Sequence, residues 1–292
     1  MNKYILVLLF LISGIVKAQL PDTDIFLADI KNDHGKLSFG TPVNITNRKG
    51  YDNQPHFTPD GKNILYVSIR DTIGSDIFRY SIATKKIDQV THTPESEYSP
   101  TYSLNGKDIS VVRVDTDGAQ RFYNLQINKI ENAKDVKGTD SIGYYCQLND
   151  SMLAMFILGN AMTLQVLNMN THQRKLVSSD IGRCMKLSID KKNLLFVIKQ
   201  NDADWSIFEM NITSSSIKKI ASTIKGNEDF VVMPDGTLLM GNDGKLFQYK
   251  PETDSDWKEI ADFTSTIKSF YRIAVSAKGD RIAFVAYSGK KP

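Results

Sequence analysis

The residues of this chain whose types suit catalysis or metal binding are few, and their spacing suits neither. The four histidines, His34, His56, His92 and His172, include no His-x-x-x-His or similar metal pair, so a metal site has no sequence basis. A serine hydrolase of the α/β type would carry a Gly-x-Ser-x-Gly elbow, and the chain has none. Asp115-Thr116-Asp117-Gly118 opens like a calcium loop, but Gln126 stands where the twelfth-position Glu belongs, which leaves a hairpin turn. Asn201-Asp202-Ala203-Asp204 and Thr253-Asp254-Ser255-Asp256 read the same way. No catalytic residue, metal or cofactor is therefore expected.

The elements that would carry these residues are set by an internal repeat. Phe57-Thr58-Pro59-Asp60-Gly61-Lys62-Asn63-Ile64-Leu65-Tyr66 aligns without gaps on Tyr102-Ser103-Leu104-Asn105-Gly106-Lys107-Asp108-Ile109-Ser110-Val111. Further copies centre on Asp150, Asp190, Asp235 and Lys278, so the turns at 60, 105, 150, 190, 235 and 278 are spaced by 45, 45, 40, 45 and 43 residues. Each copy is an apolar run, a Pro/Asp/Asn/Gly turn and a second alternating run, the pattern of a β-hairpin. A second hairpin follows, with third strands such as Asp76-Ile77-Phe78 and Trp205-Ser206-Ile207-Phe208. Four strands per repeat of this length is the arithmetic of a propeller blade.

The sixth copy ends after its second strand at Ile282–Tyr287, and its missing strands match Asp24–Ile30 and Pro42–Thr46 at the other end of the chain. The sequence thus predicts an all-β, six-bladed β-propeller of four-stranded antiparallel blades, closed by a blade shared between the termini. Blades are expected near 54–91, 98–136, 143–178, 183–221, 228–261, and 270–288 plus 24–46, in one domain over 19–292.

Thr58-Pro59-Asp60-Gly61-Lys62, with the Asp-Ile-Phe third strands, resembles the WD-like repeats of TolB-type six-bladed propellers. The resemblance spans nearly the whole chain after its first residues and implies an exported protein with a binding or scaffold role. The motif decays to Asn149-Asp150-Ser151, Ile189-Asp190-Lys191 and Ala277-Lys278-Gly279 in three copies. The propeller of prolyl-oligopeptidase-type enzymes is of the same kind, but no catalytic domain fits beside it in this length.

Lys3, the apolar run Tyr4–Val16 and Lys17-Ala18 read as a secretory signal peptide over 1–18, cleaved after Ala18. Thirteen apolar residues span about 20 Å, too short for a bilayer crossing, and no second long apolar run exists. The mature chain is expected to be periplasmic or secreted, monomeric and without a transmembrane segment. Lys and Arg number 36 against 33 Asp and Glu, a net +3, and the interspersed signs argue against a nucleic-acid partner.

In a blade, the loops between blades and between strands two and three share one face, and both hairpin turns lie on the other. The first face carries Asp52, Glu95, Glu97, Asp140, Asp180, Glu228 and Asp229 between blades, with Asp71, Asp115, Asp117, Asp202, Asp204 and Asp243 within them. The second is rich in lysine: Lys85-Lys86, Lys191-Lys192, Lys218-Lys219. A protein or cell-envelope partner is expected at the acidic face, around a channel mouth of Asn53, His56, Tyr98, Tyr144, Arg183 and Arg272. Glu95 and Glu97, as loop charges, are expected to tolerate reversal. The alternative is a lyase, lactonase or glycosidase working inside the channel. Cys146 and Cys184 fall on neighbouring first strands, four and six residues before their turns. That offset favours free thiols over a disulfide, which needs Cα atoms within about 7 Å.

Overall fold

The computed structural model describes residues 20–70, 74–104, 106–127, 129–130 and 133–288. The expected leader, Asp71 and Asn105 of the second turn lie outside the described residues. The chain opens with β1 (Thr23–Asp33), β2 (Lys36–Phe39) and β3 (Val43–Asn44). Four-stranded antiparallel sheets follow. The first is β4 (Tyr51–Phe57), β5 (Asn63–Ile69), β6 (Asp76–Ser81) and β7 (Ile87–Gln89). The second is β8 (Ser96–Tyr102), β9 (Asp108–Val114), β10 (Gln120–Gln126) and β11 (Lys134–Asp135). The third is β12 (Ile142–Gln147), β13 (Met152–Ile157), β14 (Thr163–Asn168) and β15 (Arg174–Ser179). The fourth is β16 (Ile181–Leu187), β17 (Asn193–Lys199), β18 (Trp205–Asn211) and β19 (Ile217–Ser222). The fifth is β20 (Phe230–Val232), β21 (Leu238–Asn242), β22 (Lys245–Tyr249) and β23 (Lys258–Asp262).

The last sheet is the shared blade. β24 (Phe270–Val275) pairs with β25 (Arg281–Tyr287), β25 pairs antiparallel with β1 in the register Ile25↔Val285 and Phe26↔Phe284, and β3 pairs with β1. β2 turns back on the far end of β1, an extension of this blade beyond the sequence expectation. Asp24 fastens the clasp. Its buried carboxylate accepts from Asn44 Nδ2 and Thr46 Oγ1 at 3.0 Å, from the Arg48 amide at 3.2 Å and from Ser288 Oγ at 2.8 Å.

Side chains on a strand alternate between faces, and here both faces are buried. On β5, Ile64 and Tyr66 join Ile25 and Ala283 of the shared blade, while Leu65 and Val67 join Ile109 and Val111 of the second sheet. The same holds around the ring: an apolar layer lies at every blade-to-blade junction, the sixth-to-first included. At the fifth-to-sixth junction Phe284 meets Phe270 edge-on at 4.7 Å and Phe263 at 5.0 Å. The turn aspartates make the local hydrogen bonds their spacing suggests: Asp60 accepts from Thr58 Oγ1 and the Lys62 amide, and Asp190 from Ser188 Oγ and the Lys192 amide.

Candidate binding site at the channel mouth

Each first strand enters from an interblade loop, and its opening residues face the mouth. These strands are irregular: pairing slips at Asn53/His56, Tyr98/Thr101, Ile142/Tyr144, Ile181/Met185 and Phe270/Arg272. In the first two blades the slip falls on Gln54 and Ser99, left-handed at φ 55° and 53° and each followed by Pro. Bulges of this kind re-aim side chains. Here Gln54 Oε1 accepts the Ser99 amide at 2.6 Å, a bond between blades across the channel wall.

A charged network spans the mouth. Arg183 Nη1 lies 2.9 Å from Glu228 Oε1, Arg183 Nη2 donates to Asp229 Oδ2, and Arg272 Nε stands 3.6 Å from the other Asp229 oxygen. Arg272 Nη1 donates to Asn53 Oδ1 at 2.9 Å, and Arg272 Nη2 reaches the Tyr144 hydroxyl at 3.4 Å. Asn53 in turn donates to Tyr271, whose ring stacks on Tyr287 at 4.9 Å. Lys199 pairs with Glu228 at 3.1 Å and sits over the Trp205 ring. The Glu228 carboxylate fits because residue 182 is glycine: a Cβ there would stand 2.5 Å from Glu228 Oε2. Burial pushes the Asp229 carboxyl up, but Arg183 and Arg272 more than offset it and hold it below the usual carboxylate range.

The structure thus brings together Asn53, Tyr144, Arg183, Glu228, Asp229 and Arg272. His56 shares the axial cavity with four of these and Asp180 lines the groove beside Arg183, but the remaining expected site residues stand apart. Asp52 is fully buried against Arg48 Nε at 3.0 Å, and Glu97 is fully buried, 3.1 Å from Arg113 and accepting from Thr91 and Thr93. Burial pushes both carboxyls up. Asp140 is held at the rim by Arg121 at 3.0 Å, Asp180 is an exposed turn residue at φ 55°, Glu95 is partly exposed, and Tyr98 packs between blades. The expectation of an acidic mouth is corrected accordingly. Asp52, Glu97, Glu228 and Asp229 are internal counter-ions, as buried carboxylates must be, and Glu97 is no loop charge.

Three cavities converge on Arg183. One of about 110 Å³ follows the channel axis and touches the first strand of every blade, with Gln54, His56, Ser99, Lys186, Asp229 and Arg272 in its wall. A groove of about 730 Å³ runs outward between the third and fourth blades past Tyr144, Met162, Asp180, Lys199 and Trp205. A third, of about 340 Å³, lies beside Tyr271 and Tyr287. Sequence reasoning missed Gln54, Ser99 and Lys186. The signal was present: Lys186 stands four residues before its turn, the offset of His56 and Cys146, and Gln54-Pro55 and Ser99-Pro100 are 45 residues apart.

Burial shifts the titratable groups deeper in the channel strongly. Burial, then Lys186, lowers His56 to about 4, so its imidazole is neutral at physiological pH. Cys146 and Cys184 are free thiols, as expected, and burial pushes them up to about 12 and about 11. Among the described residues no group of His, Cys, Asp and Glu is arranged to hold a metal ion, and no helix is long and apolar enough to cross a membrane.

Solved structures resemble this chain throughout. Putative TolB from Agrobacterium tumefaciens superimposes with a TM-score of 0.68 at 13% identity, covering 92% of this chain and 99% of that one. The likeness is one of fold. A gluconolactonase from Xanthomonas campestris matches at 0.64 and 8%, covering 93% and 99%. TolB from Acinetobacter baumannii matches at 0.59 and 14%, where this chain covers 92% of itself but 65% of that protein, less than two thirds of its length. No family model matches the chain, and no curated protein does. The neighbours are propellers with both binding and enzymatic names.

Proposed function

We propose that the chain is an exported, non-catalytic binding propeller, one domain over 19–292 and monomeric, whose protein or envelope partner docks on the interblade-loop face around the channel mouth. The observation that carries this reading is the convergence of three cavities on Arg183, a residue fixed in place by Glu228 and Asp229. Rigid strands hold the centre, and loops supply a rim of Met162, Asp180 and Asp202, as binding surfaces on scaffolds do. The apolar run at residues 4–16 and the TolB-like fold support export and a protein partner. The partner meets an aromatic and cationic centre with an acidic rim, in place of an acidic centre. The lyase or lactonase alternative has no activated nucleophile in the channel thiols, since burial keeps both protonated.

A photo-crosslinking residue placed at Met162, tested in cell envelopes against one at Lys85 on the opposite face, checks the reading. A discrete adduct from position 162 and none from 85 is expected. Adducts from 85 alone would put the partner on the hairpin-turn face.

A further inference from the structure

The axial cavity beneath the mouth has an imbalance of charge and of hydrogen bonding that the docking of a partner above it does not explain. Its wall carries three cations, Arg183, Lys186 and Arg272, against one carboxylate, Asp229. Glu228, behind Arg183, is shared with Lys199, so cations outnumber carboxylates here by about two. Asp229 is already shared by the two arginines. No carboxylate among the described residues stands within ion-pairing distance of Lys186, although its field reaches His56, Cys146, Cys184 and Asp229. A cation on a channel wall without a counter-ion is a ready partner for an anion.

The neutral groups of the wall are donors too. Ser99 Oγ is buried without a hydrogen-bond partner. The Gln54 carbonyl oxygen is taken by the Ser99 amide, so its remaining side-chain groups are N–H donors. His56, held neutral, carries one ring N–H. Three side chains around one cation, all able to donate, call for an acceptor with several lone pairs. Size narrows the class. The cavity of about 110 Å³, where a water needs about 10–15 Å³ of such space, admits a small molecule of a few heavy atoms.

We infer that the axial cavity is a binding site for a small monocarboxylate, whose two oxygens are held by the Lys186 ammonium and by donors from Ser99, Gln54 and His56. A carboxylate offers about four lone-pair sites, and its single charge pairs with the Lys186 ammonium. Arg272 closes the site toward the mouth. The inference is independent of the proposed partner, since a free ligand reaches the cavity with no protein docked above it.

Isothermal titration of the full chain with acetate, at fixed ionic strength set with chloride, tests it. Saturable one-to-one binding is expected, at least tenfold weaker in Lys186→Met and severalfold weaker in Ser99→Ala. Lys191→Met, on an exposed turn, should match the parent chain. Cooperative melting of each variant establishes that it is folded. The inference is overturned if the parent chain shows no saturable heat, if Lys186→Met and Ser99→Ala both bind as the parent does, or if inorganic phosphate saturates the site and acetate does not.

Discussion

Arg183 and Asp229, on adjacent blades and 46 residues apart in sequence, are ion-paired where the propeller channel opens. This contact shows what one acid of the face is for. Asp229 is 6% exposed and serves two arginines at once, so it is a structural counter-ion and not a charge displayed to a partner. The chemistry offered at the mouth is that of the arginines, tyrosines and Trp205 around it.

Closure of the ring through Asp24 predicts that the clasp governs global stability. Asp24→Ala removes the acceptor of four hydrogen bonds and should cost about 2–3 kcal/mol, since bonds to a charged group contribute more than neutral ones. Removing the chain through Ile30 strips β25 of one of its two partners and should abolish cooperative melting, because it leaves bare edges and opens two apolar layers. Calorimetry that found an unchanged transition in the truncated chain would refute closure.

Glu97 provides a sharper contrast with the sequence expectation. Fully buried beside Arg113, it should not tolerate change: Glu97→Gln leaves a buried guanidinium uncompensated, at a cost of about 3–5 kcal/mol. Glu95→Lys, at a partly exposed position, should shift stability by less than about 1 kcal/mol. Urea titration of the two variants distinguishes them, and equal midpoints would show that the Glu97–Arg113 pair contributes nothing.

His56 imposes a pH dependence whose sign follows from its lowered value. Between about 4 in the folded chain and about 6.5 unfolded, the unfolded state binds the extra proton. Stability is therefore complete above pH 6.5 and falls as pH drops toward 4. The loss is bounded at about 3 kcal/mol and is smaller because the ring lines a cavity. His56→Gln should flatten the denaturation midpoint across this window. Identical slopes in the two proteins would contradict the assignment, whatever the carboxylates add to both.

The repeat and the joining of the two ends of the chain in one sheet are legible because turn chemistry recurs at fixed spacing: Asp60, Asp190 and Asp235 each accept local hydrogen bonds that only short polar side chains make. The role of the acids was not legible. Arg183 meets Glu228 and Asp229 across a blade boundary, and Glu97 meets Arg113 across a strand pair. Loop position alone cannot show that a carboxylate folds inward onto such a partner. Lys186 was legible in principle, by its shared offset with His56, but a lone lysine amid charged turns carries no motif.

Binding of the partner at the channel mouth, on the interblade-loop face, is tested by its affinity after substitutions confined to that face. Met162→Glu with Asp202→Lys changes the rim of the groove beside Arg183 without touching the buried network. At least tenfold weaker binding with unchanged melting is expected, while Lys85→Glu with Lys86→Glu on the opposite face leaves affinity as it was. Loss of affinity in the Lys85/Lys86 variant, with the Met162/Asp202 variant binding normally, would contradict binding at the mouth.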